Sequence, residues 1–188
     1  TQLIARRVRE LNIFSKIFKH DVEIDELLKN NIKAIILSGG PSSVYDNNSP
    51  KLNLKILDLG LPIFGVCYGL QILLNETGGK IEKGIIGEYG NASISHIEEN
   101  ILFNNIPKKL NVWMSHGDKV TELSSCWETI ALSDNNIISA VVHKEKPIYG
   151  VQFHPEVTHT EYGSNILSNF LFNICNLKKN WTADNFIK

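Results

Sequence analysis

The chain has 188 residues, 43% hydrophobic and 21% charged, and its 19 basic and 20 acidic side chains leave a formal net charge of −1. That is the profile of one compact globular domain with enough apolar material for a core, and its near-neutral balance excludes an electrostatic footprint for nucleic acid or an anionic membrane surface. No apolar run approaches the ~20 residues of a membrane-spanning helix, no secretory leader is read, and three cysteines argue against a disulfide scaffold and for a reducing, cytoplasmic setting. In that setting the strings NET, NAS and NWT, which match a glycosylation acceptor pattern, read as chance.

The opening TQLIARRVREL sets Leu3, Ile4, Val8 and Leu11 at helical spacing. It starts as though already inside a helix, so a leading piece is expected before Thr1. NIFSKIFK alternates like a strand, and DVEIDELLKN returns to helix with Asp21 as its N-cap. The β-branched run IKAIILSGGP predicts a strand buried on both faces. KLNLKILDLG predicts a helix ending at Gly60, PIFGVC a second buried strand, and YGLQILLNETGG a helix closed by Gly78 and Gly79. Strand, helix and strand in turn signal parallel βαβ units. The second half breaks into shorter strand-like pieces: KIEKG, NASISHI, VWMSH, ETIALSD and ISAVVHKEKPIYGVQFH. Turns are predicted at 134–136 and in KEKP. YGSNILSNFLFNICN predicts a closing helix with Ile166, Leu167, Phe170, Leu171 and Ile174 inward. The fold class read from this order is α/β: an open, mostly parallel twisted sheet flanked by helices, with a small added antiparallel region. One domain is expected over residues 1–178, and 179–188 as the start of a linker.

The chemistry concentrates in three strings. In GVCYG, Cys67 stands between Gly65 and Gly69 where a strand gives way to a helix. A nucleophile elbow needs this pattern, because the central residue takes a strained backbone and larger neighbours would collide with the turn. The sulfur then lies at the carboxyl end of the sheet and beside a helix N-terminus, whose partial positive charge favours thiolate. In YGVQFHPEV a strand ends at His154 with Glu156 two residues on, and residues two apart in extended backbone point the same way. His154 can therefore shuttle a proton while Glu156 fixes its tautomer. For the oxyanion that acyl transfer creates, the backbone amide of Tyr68 is one donor and a glycine amide of SGGP the second. A phosphate cradle is the rival reading of SGGP, but no Walker-type Lys-Ser/Thr follows it. All three strings fall where ligand crevices of open α/β sheets lie.

SGGP, GVCYGLQ and GVQFHPEV together resemble the triad-type, class I glutamine amidotransferases. VWMSHGDKV, EYG, FHPEVTHT and WTADNFI are similar to the glutaminase domain of the GMP synthetase branch of that family. The resemblance covers nearly the whole chain. It implies a flavodoxin-like α/β sheet and hydrolysis of the glutamine side-chain amide, with Cys67 as nucleophile, His154 as acid and base, and Glu156 as its orienter. It also implies an oxyanion hole from the amides of Gly40 and Tyr68, substrate contact by Gln71, and a site-lining loop of Ser115, His116, Gly117 and Asp118 that faces a partner domain. Asp118 and Lys119 are assigned a domain-contact role on the same ground. L-glutamine is then the substrate. No cofactor is expected in this domain, whereas ATP and Mg²⁺ belong to a separate XMP-binding synthetase domain or subunit, of which no string is found here. The family's usual first strand, ending in a motif like DFGSQY, is also absent before TQLIARRVREL, which predicts an unpaired apolar sheet edge.

His116, flanked by Ser115, Gly117 and Asp118, is the competing base. His20, His96 and His143 read as solvated, His159 as a residue just behind the site, and Cys126 and Cys175 as buried structural thiols. Two other functions are weighed. One is the amidotransferase part of another biosynthetic enzyme, such as anthranilate synthase or carbamoyl phosphate synthetase, against which MSHGD and EVTHT speak. The other is a non-catalytic module that retains the fold, which would be expected to lose Cys67, His154 or Glu156.

Overall fold

The computed structural model describes residues 1–96, 99–179 and 181–182, with side chains throughout except at Ile85 and Ile86. Its strands are β1 (Ile35–Leu37), β2 (Ile63–Val66), β3 (Lys80–His96), β4 (Lys109–Glu122), β5 (Trp127–Ser133), β6 (Ile138–His143) and β7 (Ile148–Val151). The helices are α1 (Gln2–Glu10), α2 (Ile24–Lys29), α3 (Tyr68–Glu76) and α4 (Gly163–Ser168), the last widening into a π-type turn over Asn169–Ile174. Among the described residues the strands form one seven-stranded sheet in the order β1-β2-β7-β6-β5-β3-β4.

β2 is the pivot. All four of its residues are buried, as a continuous apolar run requires when both faces of a parallel strand are covered. Phe64 points to one face and stacks on Phe170 with ring centroids 5.0 Å apart. There it joins Ile4 and Val8 of α1 and Ile166 and Leu167 of α4 in one core. Ile63 points to the other face, where Leu70, Leu73 and Leu74 of α3 pack with Ile81, Val120 and Trp127. Helices on both faces of a sheet with parallel β1, β2 and β7 make the class α/β.

The balance of the sheet differs from expectation. Only those three strands run parallel, and β6, β5, β3 and β4 continue the sheet antiparallel, so the sheet is mixed and the antiparallel part is not small. KIEKG and NASISHI fuse into the 17-residue β3, which pairs with β4 along both sides of an irregularity between Lys83 and Glu88. Other elements shift as well. Residues 13–19 form no strand, although Ile13 is buried, because no neighbouring backbone forms a ladder with them among the described residues. Helix α2 begins at Ile24 with Glu23 rather than Asp21 at its N-cap. β1 spans three half-buried residues at the edge of the sheet, with β2 its one neighbour among the described residues, instead of a strand buried on both faces. Leu54–Asp58 is a short 3₁₀ turn rather than a full helix. Of the segment expected to open a linker, Trp181 donates its backbone N–H to Asn12 O at 3.0 Å, while Asn180 and residues 183–188 lie outside the described residues.

Candidate active site

β2 ends at Val66 and α3 begins at Tyr68, so Cys67 alone carries the turn between them. Its φ of 52° and ψ of −107° cost a side-chain-bearing residue roughly 1–3 kcal/mol, which the surroundings must impose. They do so from three sides. The Cys67 N–H donates to Val151 O at 2.8 Å, and its carbonyl accepts from Gln71 N–H at 3.1 Å. A Cβ on Gly65 would fall 2.8 Å from the backbone of Gly69, and one on Gly69 only 2.2 Å from Leu37 O. Backbone therefore occupies both places where a side chain would stand, and the sharp reversal survives only with glycine there. The sulfur ends up buried, with Cys67 only 3% exposed, at the N-terminus of α3.

His154 follows β7 by three residues, and its backbone is clamped. Its N–H donates to Trp113 O at 3.0 Å, and its carbonyl accepts from the Thr160 hydroxyl at 2.6 Å. The same Thr160 oxygen accepts from Trp113 N–H at 3.0 Å. On the imidazole, Nδ1–H donates to Glu156 Oε1 at 2.9 Å, which leaves Nε2 as the nitrogen for proton transfer. The Cys67 sulfur and then the Glu156 carboxylate favour the imidazolium against the opposing effect of burial, and push the His154 pKa up to about 10. Arg7 of α1 donates Nε–H to Glu156 O at 2.9 Å and so ties the first helix to this loop. An imidazole hydrogen-bonded to a carboxylate thus stands beside the elbow cysteine, the order that nucleophilic acyl transfer requires.

The remaining predicted positions are placed as follows. Tyr68 opens α3, so its amide has no carbonyl partner within the helix and lies next to the sulfur. Gly40 is exposed, and a Cβ there would meet nothing within 4 Å. Its neighbour Gly39 is the residue pressed against the chemistry, since a Cβ there would come 2.9 Å from His154 Cε1 and 3.4 Å from Cys67 Cβ. Gln71 is buried, and its Nε2 donates to Asp118 O at 3.0 Å and to Gln152 Oε1 at 3.2 Å. Ser115 is an exposed residue whose carbonyl accepts from Cys67 Sγ at 3.7 Å.

The stretch from Ser115 to Asp118 is not a loop but part of β4, whose alternation sends Leu110, Val112, Met114, His116, Asp118 and Val120 inward. His116 is therefore buried and away from the sulfur. Its Nδ1–H donates to Asp118 O at 2.8 Å and its Nε2 sits 3.3 Å from Glu88 Oε2, a structural pairing rather than a competing base. Gly117, half-buried between them, lies close to the Tyr89 hydroxyl, 3.3 Å from where its Cβ would be. The Asp118 carboxylate accepts from the Ser43 hydroxyl and is buried, which removes it from any exposed contact surface, whereas Lys119 is half-buried.

His159 packs tilted against Trp113 with ring centroids 4.7 Å apart, on the residue whose carbonyl accepts the His154 N–H. His20 is exposed, as expected. His96 and His143 are not simply solvated. His96 stacks on Phe103, while His143 meets the edge of Trp127 and its Nδ1 accepts from the Glu145 and Lys146 amides. Burial, then the Lys146 charge, lowers the His143 pKa. Cys126 and Cys175 are half-buried free thiols, and burial pushes the Cys175 thiol up to about 12.

Residues 1–174 match the protein family described as Glutamine amidotransferase class-I. The chain belongs to that family. Among curated relatives, the GMP synthase [glutamine-hydrolyzing] of Aquifex aeolicus is 47% identical over 186 residues, which is 99% of this chain and 36% of that protein. The same-named protein of Lactobacillus gasseri is 48% identical over 188 residues, again 36% of its length. The amidotransferase chain thus spans little more than a third of these relatives. Among solved structures, a putative GMP synthase subunit from Thermoplasma acidophilum superposes with a TM-score of 0.78 at 30% identity, covering 93% of this chain and 87% of that one. A glutamine amidotransferase from Thermotoga maritima gives 0.74 at 20% identity, over 93% and 92%, and shares the fold.

Four residues of the site escaped the sequence reading: Gly39, Gln152, Thr160 and Arg7. Gln152 stands only two residues before His154, but residues 152–153 bend away from the strand, so alternation by itself does not mark it. Gly39, Thr160 and Arg7 act through contacts made across the fold, which spacing along the chain does not reveal.

Proposed function

We propose that this chain is the glutaminase half of a GMP synthase and releases ammonia from L-glutamine. The observation that carries the reading is the elbow cysteine set beside an imidazole that Glu156 holds through Nδ1, with the SGGP turn pressed against both. The sulfur attacks the side-chain amide carbon of glutamine as thiolate, and the oxyanion that forms is taken by the amides of Tyr68 and Gly40. The His154 imidazolium gives its proton to the departing nitrogen, and ammonia leaves behind a cysteinyl thioester. Neutral His154 then withdraws a proton from water, which attacks the thioester, and glutamate departs as the sulfur recovers its electron pair. Gln71 from α3 and Ser115, His116 and Gly117 from β4 support the site, with His116 acting through the backbone of Asp118.

The GMP part of the reading rests on the curated relatives, which match this chain from end to end and carry that name. In it the ammonia passes to an ATP- and Mg²⁺-dependent synthetase domain or subunit that has activated XMP, and GMP forms there. We take residues 1–178 as the glutaminase unit and 179–188 as the approach to that partner, in the cytoplasm.

The test is glutamate release by the protein, with and without XMP and ATP, together with labelling by a glutamine-like electrophile. Cys67→Ala should abolish release, and the label should sit on Cys67 alone. Label on Cys126 or Cys175, with Cys67 untouched, would overturn the assignment. Release that ignores XMP and ATP when the synthetase partner is present would remove the GMP half of the reading while leaving the glutaminase half.

A further inference from the structure

Behind the sulfur lies a chain of side-chain amides that the reaction steps above leave without a task. Gln152 is fully buried, with its backbone N–H bonded to Ser139 O at 2.8 Å, and its side-chain Nε2 lies 3.7 Å from Cys67 Sγ. Its Oε1 accepts from Gln71 Nε2 at 3.2 Å, and Gln71 Nε2 also donates to Asp118 O at 3.0 Å. Asp118 O takes a further hydrogen bond from His116 Nδ1–H, and the far side of that ring is closed by Glu88.

The direction of every bond in this chain is determined. A backbone carbonyl can only accept, so Gln71 must turn its NH₂ toward Asp118 O. That NH₂ has a second proton, and the group it meets on Gln152 must then be the carbonyl oxygen. The Gln152 amide is left with its NH₂ facing the sulfur. Turning over Gln71 would set its oxygen against those of Asp118 and Gln152, and turning over Gln152 would set amide nitrogen against amide nitrogen, each at the cost of two hydrogen bonds in a buried site. An N–H aimed at a sulfur that water hardly reaches favours the thiolate over the thiol, since hydrogen bonds to an ionised acceptor are about twice as strong as those between neutral groups.

We propose that Gln152 is a catalytic residue of this site, donating a hydrogen bond to the Cys67 thiolate, and that Gln71 is a positioning residue that holds the Gln152 amide in the donating orientation. Gln152 adds to the imidazolium and the N-terminus of α3 a donor that stays in place while His154 gives its proton to ammonia. The attacking water re-protonates the imidazole before the thioester breaks, so Gln152 and the imidazolium together stabilise the negative charge that returns to the sulfur. The chain also gives Gln71 a task besides any contact with substrate, because its amide nitrogen is spent on the two groups behind the nucleophile.

The experiment is alkylation of Cys67 by iodoacetamide as a function of pH in the intact protein, read peptide by peptide so that Cys126 and Cys175 are counted apart. It needs no glutamine turnover, so it stands or falls separately from the glutaminase reading. Gln152→Met removes the donor without adding a charge and should slow Cys67 alkylation at pH 7 about tenfold and move the profile to higher pH by about one unit, while Gln152→Glu, which also sets a carboxylate against the sulfur, should move it further. Gln71→Leu should move it the same way by less than Gln152→Met, with melting unchanged between pH 6 and 8 beyond the loss common to these two variants. Because a buried variant can fail to fold, the wild type supplies a second reading. The side-chain amide ¹⁵N–¹H signals of Gln152 should shift when Cys67 is alkylated, and more than those of Gln71. An alkylation profile identical to wild type in folded Gln152→Met, or Gln152 amide signals indifferent to modification of the sulfur, overturns the proposal.

Discussion

Gly39 and Gly40 are neighbours with opposite relations to the site, and exchanging each for alanine separates packing against the catalytic pair from mere loop chemistry. The added methyl at Gly39 would stand 2.9 Å from His154 Cε1 and 3.4 Å from Cys67 Cβ, whereas at Gly40 it would meet nothing within 4 Å. Carbon atoms in favourable contact sit about 3.5–4.0 Å apart, so the imidazole must retreat by roughly 0.6–1 Å. The ring cannot rotate freely to do so, because Nδ1–H is committed to Glu156 and the backbone to Trp113 and Thr160. A displacement of that size at a reacting centre costs on the order of 10- to 100-fold in rate, which is about 1.4–2.7 kcal/mol of barrier. Melting should fall little, since Gly39 is only half-buried and needs no positive φ. We therefore expect Gly39→Ala to lose 10- to 100-fold in kcat for glutamate release with KM and melting nearly unchanged, and Gly40→Ala, which keeps its amide, to remain within about twofold of wild type. Equal activities for the two variants would refute the argument that the SGGP turn is pressed against the imidazole, and so would a larger loss at Gly40.

Other expectations follow from the same geometry. His154→Ala should cut glutamate release by at least about 10³-fold. His116→Ala, by removing a bond to Asp118 O and the imidazole beside Glu88 Oε2, should cost roughly 1–3 kcal/mol of stability and several degrees of melting temperature while costing far less in rate; the opposite ranking in rate would transfer the role of base. Because the folded-state pKa of His154 is raised from an ordinary value near 6.5 to about 10, its stabilising contribution is fully present below pH 6.5 and is lost as pH rises through 10. The melting advantage of wild type over His154→Gln should therefore shrink steadily from pH 6 to pH 10, and a gap that widens with pH would contradict the pairing. With its thiol pushed up to about 12, Cys175 holds on the order of one part in 10⁴ as thiolate at pH 8, so it should resist thiol reagents in the folded protein and react freely once unfolded. Reaction of Cys175 at the rate of an ordinary free thiol before unfolding would show that it is not shielded.

What the sequence determined by itself was local. GVCYG specified an elbow because the collision of a side chain with the turn is a matter of a few adjacent residues. In HPE the imidazole and the carboxylate do meet as expected, but Pro155 and Glu156 lie in a turn, so it is the turn and not strand alternation that brings them together. The continuous apolar run PIFGV had to be a strand covered on both faces, and β2 is one. These are short-range constraints, and a linear reading can see them. Where the reading missed, a distant partner decided. NIFSKIFK has the alternation of a strand, but a strand is stable only in a ladder, and no backbone lies alongside residues 13–19 among those described. SHGDK has the composition of a loop, yet pairing with β3 draws it into β4 and buries His116 and Asp118. The spacing Leu110, Val112, Met114, His116, Asp118, Val120 was already written in the chain, but two polar residues within it disguised an inward face. Only the tertiary structure could bring Gly39, from the end of β1, against an imidazole more than a hundred residues away, or aim the Gln152 amide at the sulfur. Such contacts are made by the closing of the sheet around β2 and β7, and the register between strands, unlike the alternation within one, is not encoded at any single place in the sequence.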